Sequence, residues 1–573
     1  MFPQLPRTLR TVSHLRREQI VYRLWYAVRR RLPVSLWWRG CVAWGPLRFT
    51  PLCPVIPFPS RPPASPTDID RGRFRFLNDT VDFGGLPRWA APGKSRLWRY
   101  NLHYFQYLNE GGRPDRERAL RLMEHWVREN PPGTPDAWDP FPISLRLVNW
   151  VKYLSACDTC GPRVDFVLRS AYHQALWLED SLEYHLLANH LFKNAKALIF
   201  AGLFFRGKDA ARWLALGLEI LHRELSEQVL PDGGHFERSP MYHSMILEDC
   251  LDLLNLLRGS PDAGKEAPGE PRIRALFEAR LHETARRMIG FLRGVVHPDG
   301  EIPLFNDAAF GIEAPPDHLF RFGGMLGVNG SADLPPTLRS FPHSGYFVMA
   351  PREGDQLIVD CGPVGPDYQP GHAHCDTLSF ELSLGGRRVV VDSGCCQYED
   401  GAMRRYNRGN RGHNGVTVDH RDQSEVWGAH RCGNRARPLY GNLTRRDDGA
   451  LVFEGAHDGY RLLNGSPVHH RRIVWASEGI TVEDFLEGSG THHVESRIHL
   501  HPDCAVESQA GVVRVAADHG VSVLFSTDGD RRIECHRGWY CPRFGVRQGC
   551  TVLTVSHPAA TLPRRFRWTI ALR

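Results

Sequence analysis

Residues 371–394 read GHAHCDTLSFELSLGGRRVVVDSG. From Thr377 onward apolar and polar residues alternate: Leu378, Phe380, Leu382 and Leu384 point one way, and Thr377, Ser379, Glu381 and Ser383 the other. That is the period of a β-strand. Gly385 and Gly386 supply the positive φ of a two-residue hairpin turn, so a second apolar strand is expected to follow and to end at Asp392. His372 and His374 stand at the mouth of the first strand. Two imidazoles and a carboxylate beside a strand pair suit a metal site or acid/base chemistry, and buried histidines satisfied by hydrogen bonds are the plain alternative.

The same texture continues outward from this hairpin. After residue 336, short alternating runs such as GYFVMAP, DQLIVDCG, GVTVDH, GITVEDFLEG and RFRWTIAL are separated by Gly, Asp and Asn. Before it, apolar residues recur at helical spacing, as in Leu120, Met123, Trp126 and Val127, and again in Leu191, Ala195, Leu198 and Ile199. A multidomain α + β chain is therefore expected, with a helical domain over residues 97–335 and an antiparallel β-sandwich over 336–573. Residues 1–96 form an N-terminal helix and a proline-rich arm, the prolines of PVIPFPSRPPASP making residues 54–96 extended. Ile20, Val21, Leu24, Trp25 and Val28 form one helical stripe flanked by arginines. Docking of this stripe on the helical domain is the expectation, and a membrane-surface helix the alternative.

A length of 573 residues calls for two or three domains. The apolar fraction of 42% and charged fraction of 24% are those of a globular protein and exclude disorder as the main theme. A net charge of +7 permits an anionic ligand without demanding one and gives no reason to expect nucleic acid. No apolar run is long enough to form a transmembrane segment. The first 33 residues lack the apolar core and small-residue cleavage site of a secretory signal, which by itself reads as cytoplasmic. The 14 cysteines are spread thinly, so reduced thiols are expected. The lone Cys157/Cys160 pair and adjacent Cys395 and Cys396 read as ordinary buried cysteines.

Two segments of the helical half concentrate polar groups. In EYHLLANHLFKNAKALIFAGLFF, Asn189 and His190 precede a strongly apolar helix, so Asn189 either caps it or faces a cleft. In DGGHFERSPMYHSMILEDCLDLL, Asp232 to Gly234 make a turn, and Glu237, Arg238, Tyr242 and His243 cluster before the next helix. A tyrosine near a cation has a lowered pKa and can exchange a proton with substrate.

Taken in order, NH, ERSPMYH, PLFND (Pro303 to Asp307), GHAHCDTLSFEL with VDSG, and RRYNRGNRGHNGVTVDHRDQSEVW resemble the heparinase II/III-like polysaccharide lyases, whose relatives include enzymes acting on alginate. The resemblance covers roughly residues 97 to 440. It implies an incomplete α/α toroid followed by an antiparallel β-sandwich, an active cleft between them, and β-elimination on uronic-acid-containing glycans. Such chemistry neutralises the uronate carboxylate, removes the C5 proton and protonates the leaving oxygen. By resemblance Asn189 is the neutraliser, assisted by His190. Tyr242 and His372 carry the two proton transfers. His235, Glu237, Arg238, Tyr406 and Arg408 are the expected substrate contacts.

The resemblance also implies a divalent metal, usually zinc, on His374, Asp392 and His413, with His430 competing as the third ligand. A regular hairpin opposes this set, because Asp392 would then lie opposite Ser379, roughly 16 Å from His374 at strand rise. The GHAHC segment must bend back to allow ligation. Where the family commonly has threonine after HN, this chain has Gly415, and RGNRG replaces a more usual serine or threonine. Family resemblance implies the periplasm or cell envelope, and two readings reconcile this with the missing export signal: a role in envelope or exopolysaccharide metabolism, or a true N-terminus other than Met1. The competing readings are a polysaccharide-binding protein without turnover, and a glycoside hydrolase using Glu237 with Asp232 or Glu248.

Overall fold

The computed structural model describes residues 4–29, 31–32, 47–60, 68–111, 114–259, 270–330, 337–509, 511–517, 520–528 and 531–572. Two helices, α1 (Gln4–Val12) and α2 (Arg17–Arg29), precede nine others: α3 (Arg96–Tyr104), α4 (Arg116–Glu129), α5 (Pro140–Ser155), α6 (Pro162–Glu179), α7 (Ala188–Phe204), α8 (Lys208–Gln228), α9 (Pro240–Gly259), α10 (Glu270–Val295) and α11 (Pro316–Met325). The nine build an incomplete α/α toroid. Its centre is α7, on which Leu191, Phe192, Leu198, Ile199 and Phe200 are all 0% exposed. An apolar surface on every side is what a helix enclosed by others requires. Lysines that α7 buries are paired: Lys193 with Asp249 at 2.9 Å, and Lys196 with Asp249 at 2.7 Å.

The second half is an antiparallel sandwich. A five-stranded sheet runs in chain order through Leu338–Phe341, Tyr346–Met349, Gln356–Asp360, Phe380–Leu384 and Arg387–Val390. A bridge between Val390 and Leu500 links it to a four-stranded sheet containing Val416–Val418 and Thr491–His499. An eight-stranded sheet packs against both, and Phe347, Leu357, Phe380 and Leu382 meet Phe453, Ile473, Val482, Phe525 and Trp568 in one core. Between the sandwich strands a short helix, α12 (Ala402–Arg408), brings arginines toward the toroid.

The Gly385–Gly386 hairpin pairs Leu384 with Arg387 and Ser383 with Arg388, then slips so that Leu382 meets Val390. Its first strand starts at Phe380 and not at Thr377, because Leu378 adopts a φ of 71° and turns the chain. Its second strand ends at Val390, short of Asp392. All five residues of Phe380–Leu384 are buried, polar ones included. The polar face lies against the end of the toroid, where His297 places Nε2 2.8 Å from Glu381 and Nδ1 2.8 Å from Ser383. Arg388 and the backbone N–H groups of Leu304 and Asp392 complete the donors to Glu381. Burial alone would raise the Glu381 pKa, but these donors hold it below the usual range.

Three expectations need correction. The stripe of α2 does not dock: Ile20, Val21, Leu24, Trp25 and Val28 are 39%, 61%, 65%, 51% and 54% exposed. The helix is held by its other face, where Gln19 donates to the carbonyls of Leu186 and Tyr368, Arg23 to His185 and Tyr26 to Leu182. Its polar and aromatic side finds specific partners there. The arm is not wholly extended either, since Arg73–Phe76 and Asp79–Asp82 form a hairpin that buries Phe74 completely; residues 61–67 lie outside the described residues. Cys160 is exposed and Cys157 half-buried.

One side chain ties three strands together. Asn414 donates to the carbonyls of Phe380 at 2.8 Å and Val391 at 2.9 Å, while its carbonyl accepts the backbone N–H of His499 at 2.6 Å. Replacing it with alanine strands those buried groups. Asn414→Ala is expected to destabilise the protein by about 2–4 kcal/mol. Urea unfolding followed by tryptophan fluorescence checks this, with the exposed Glu478→Ala giving an unchanged midpoint.

Candidate active site

Asp307, in the segment that leaves the toroid, is fully buried and accepts from four side chains of the β-domain, the Cys395 thiol at 3.3 Å among them. Arg404 of α12 grips both oxygens, one contact at 2.8 Å. His372 Nδ1 lies 3.0 Å from Oδ2, and His374 Nε2 2.9 Å from Oδ1. Burial opposes the charge, yet Arg404 and the two imidazoles hold the Asp307 carboxyl well below the usual carboxylate range. An ionised carboxylate only accepts, so it selects the Nδ1–H form of His372 and the Nε2–H form of His374. The lone pairs are thereby left on His372 Nε2 and His374 Nδ1.

His372 stacks on Tyr242 of α9, ring centroids 3.8 Å apart at 28°. The Tyr242 hydroxyl is 2.9 Å from that of Tyr398. Burial, with the Asp307 and Glu237 carboxylates nearby, pushes the Tyr242 phenol well up, opposite to the lowering expected beside a cation. The site therefore presents a protonated phenol.

Asn189 meets these rings in one cavity of about 880 Å³. It does not cap its helix. Leu187 precedes α7 with a φ of 65°, followed by Ala188 at 54°, and this left-handed turn carries Asn189 inward. Its Nδ2 lies 2.9 and 3.1 Å from the Glu237 carboxylate oxygens. His190 also lines the cavity, its Nδ1 3.0 Å from Glu183; desolvation lowers the imidazole pKa, but the charge and hydrogen bond of Glu183 together with the Glu237 charge leave it raised. Arg23, Arg29, Arg96 and Arg431 line the walls against Asp139, Glu183 and Glu399, so the cavity is basic.

The remaining sequence candidates sit elsewhere. Glu237 is 2% exposed and lies behind Asn189, orienting its amide. His235 is buried with Nε2 3.0 Å from Gln228, and Arg238 faces a different groove while donating to the Phe236 carbonyl. Arg408 is 1% exposed and donates to the carbonyls of Ala373, Gly428 and Arg431, bracing a loop instead of facing the cavity. The Tyr406 hydroxyl lies between His499 Nε2 and the Trp539 N–H. Asp307, Arg404 and Tyr398 escaped the sequence reading. Asp307 and Arg404 stood inside quoted motifs without a role, and nothing in the local pattern around Tyr398 marks it.

His374 Nδ1 and His413 Nε2 are buried and have no hydrogen-bond partner. Ligand atoms of His374, His413 and Asp376 lie within 4.8 Å of one another, a group able to hold a metal ion. Asp392 stands behind His413, its Oδ2 2.7 Å from Nδ1, so the carboxylate beside the two open nitrogens is that of Asp376. His430 lies on the cavity wall with Nδ1 3.2 Å from the Gly371 carbonyl. Asp376 and Asp360 have raised pKa values, burial being the main cause for each, and a divalent cation would offset that cost. Orphaned imidazole nitrogens and crowded carboxylates fit such an ion.

Among known proteins, a heparin-sulfate lyase of Bacteroides stercoris is 30% identical over 402 residues, covering 58% of this chain and 56% of its own. The chain thus spans little more than half the length of that relative. FtsZ-localized protein C of Caulobacter vibrioides is 27% identical over 523 residues, covering 84% of both chains. Among solved structures, that of heparinase III superposes with a TM-score of 0.68 at 19% identity, covering 86% of this chain and 80% of that one, which shows the fold. The family model for the heparinase II/III N-terminus matches residues 109–314, and that for the heparinase II/III-like C-terminal domain matches 333–569. With both halves matched in order on one toroid-and-sandwich frame, the chain belongs to the heparinase II/III-like family.

Proposed function

We propose that the protein is a polysaccharide lyase that cleaves a uronic-acid-containing glycan by β-elimination. The single observation that carries this reading is the meeting of Asn189, Tyr242 and His372, from both domains, in one basic cavity. Heparin-sulfate lyases among its relatives make a glycosaminoglycan-like polymer the first substrate class to try. An envelope polysaccharide or exopolysaccharide is the second.

Each residue has a task. One amide hydrogen of Asn189 meets Glu237, and the other binds the uronate carboxylate, with the cavity arginines supplying further positive charge. His372, held as the Nδ1–H form by Asp307, takes the C5 proton on Nε2. Tyr242, kept protonated by burial, gives its proton to the departing glycosidic oxygen. Tyr398 fixes the direction of that hydroxyl. His374, Asp376 and His413 would hold a divalent ion, zinc by their donor chemistry, with Asp392 orienting His413. When bound, that ion would neutralise the buried carboxylates and stiffen the loop carrying His372.

A hydrolase reading has less support, since Glu237 is engaged by Asn189 and Asp232 by Ser344. A reading without turnover draws on the relative named for its location with FtsZ, which matches this chain over most of its length. Product absorbance separates all three, because elimination leaves an unsaturated uronate that absorbs in the near ultraviolet. Incubation with uronate polymers is expected to raise that absorbance, and binding without any rise would favour the non-catalytic reading.

Tyr242→Phe and His372→Ala are each expected to lower kcat by about 100-fold or more while substrate binding persists, as read by turnover and by equilibrium binding. Full activity in both variants would refute their roles. For the metal, elemental analysis of purified protein is expected to find zinc, and His413→Ala to lose it together with several degrees of melting temperature. Equal metal content in His413→Ala would remove this group as the site.

A further inference from the structure

We propose that the N-terminal helix α2 is a docking surface for an anionic lipid membrane. Its outward face carries Ile20, Val21, Leu24, Trp25 and Val28, between 39% and 65% exposed. Leu9 and Val12 of α1 are exposed as well, at 61% and 42%. Single exposed apolar residues are ordinary, whereas a continuous stripe on one helix marks a surface that something covers. The same helix is firmly anchored through its opposite face by Gln19, Arg23 and Tyr26, so the stripe is held outward by design of both faces.

Charge identifies the occupant. The first 33 residues hold eight arginines and one glutamate, which alone supply the chain's net charge of +7; the rest of the chain is balanced. Arg17 opens the helix at one end of the apolar stripe and Arg31 lies in the turn beyond its other end, and both are exposed. Apolar side chains flanked by arginines match the boundary between acyl chains and acidic headgroups, where each basic residue contributes about 1 kcal/mol. The 13 residues of α2 are too few to cross a bilayer, and no described helix is long and apolar enough to do so. The helix therefore lies in the surface.

Arg23, Tyr26 and Arg29 of the same helix line the cavity described above. Membrane docking would thus set the cavity close to the lipid surface, where envelope-attached polymers are found. The docking itself does not depend on the lyase reading.

The test is co-sedimentation of the full chain with phosphatidylcholine vesicles, with and without phosphatidylglycerol. The protein is expected to pellet with the phosphatidylglycerol vesicles and to be released by salt. Leu24→Glu with Trp25→Glu is expected to weaken this by about tenfold or more, and Arg17→Glu with Arg31→Glu to abolish the preference for acidic lipid. Because all four side chains are exposed, melting temperatures should not move. Failure of the unaltered protein to pellet, or equal pelleting by the Leu24/Trp25 variant, would overturn the proposal. So would light scattering that finds a dimer which the Leu24/Trp25 variant dissociates, since a second copy would then cover the stripe.

Discussion

A single buried carboxylate organises the centre of this molecule. Asp307 comes from the segment that leaves the toroid, yet its partners Arg404, His372 and His374 all belong to the β-domain. A charge removed from water must be met by opposite charge and hydrogen bonds, or the group takes up a proton instead. Arg404 meets it, and the remaining lone pairs are then free to choose the tautomers of two histidines. One consequence is an unprotonated nitrogen on the ring that lines the cavity; the other is an open nitrogen facing a second, buried cluster. Domain docking and the orientation of both imidazoles thus share one anchor.

The polar layer between the domains has the same logic on a larger scale. Glu381 and Ser383 lie on the strand face that alternation assigns to water, but His297 and Arg388 cover them. Such a face is satisfied only when the toroid is in place. The two domains therefore fit each other specifically, since an apolar seam would tolerate sliding where directed hydrogen bonds do not. Asn414 does for three strands what Glu381 does for the domain seam.

The N-terminal helix shows how one pattern can carry two meanings. Its apolar stripe satisfies the rule by which surface helices pack on a core, and docking was the natural expectation. In the fold, the face that docks is the one bearing Gln19, Arg23 and Tyr26, because carbonyls in the loop after α6 and that of Tyr368 need donors. Periodicity measures the separation of two faces. It does not say which one meets protein.

Alternation and helical spacing along the chain were enough to separate a helical half from a β half, because those periods are properties of the backbone itself. The two-residue turn at Gly385 and Gly386 was legible for the same reason, and it pairs Leu384 with Arg387. Local sequence could not show the left-handed bend at Leu378, since nothing about leucine favours a φ of 71° and only surrounding contacts impose it. That bend ends the strand and separates it from the segment bearing His374 and Asp376. The pairing of Asp307 with Arg404, 97 residues apart, likewise exists only once two domains have met. Residue types and periods settled the architecture and offered part of the polar groups now found together, without Asp307, Arg404, Tyr398 or Asp376; which groups face one another was decided by burial, which forces each charge to find its partner wherever the fold has placed it.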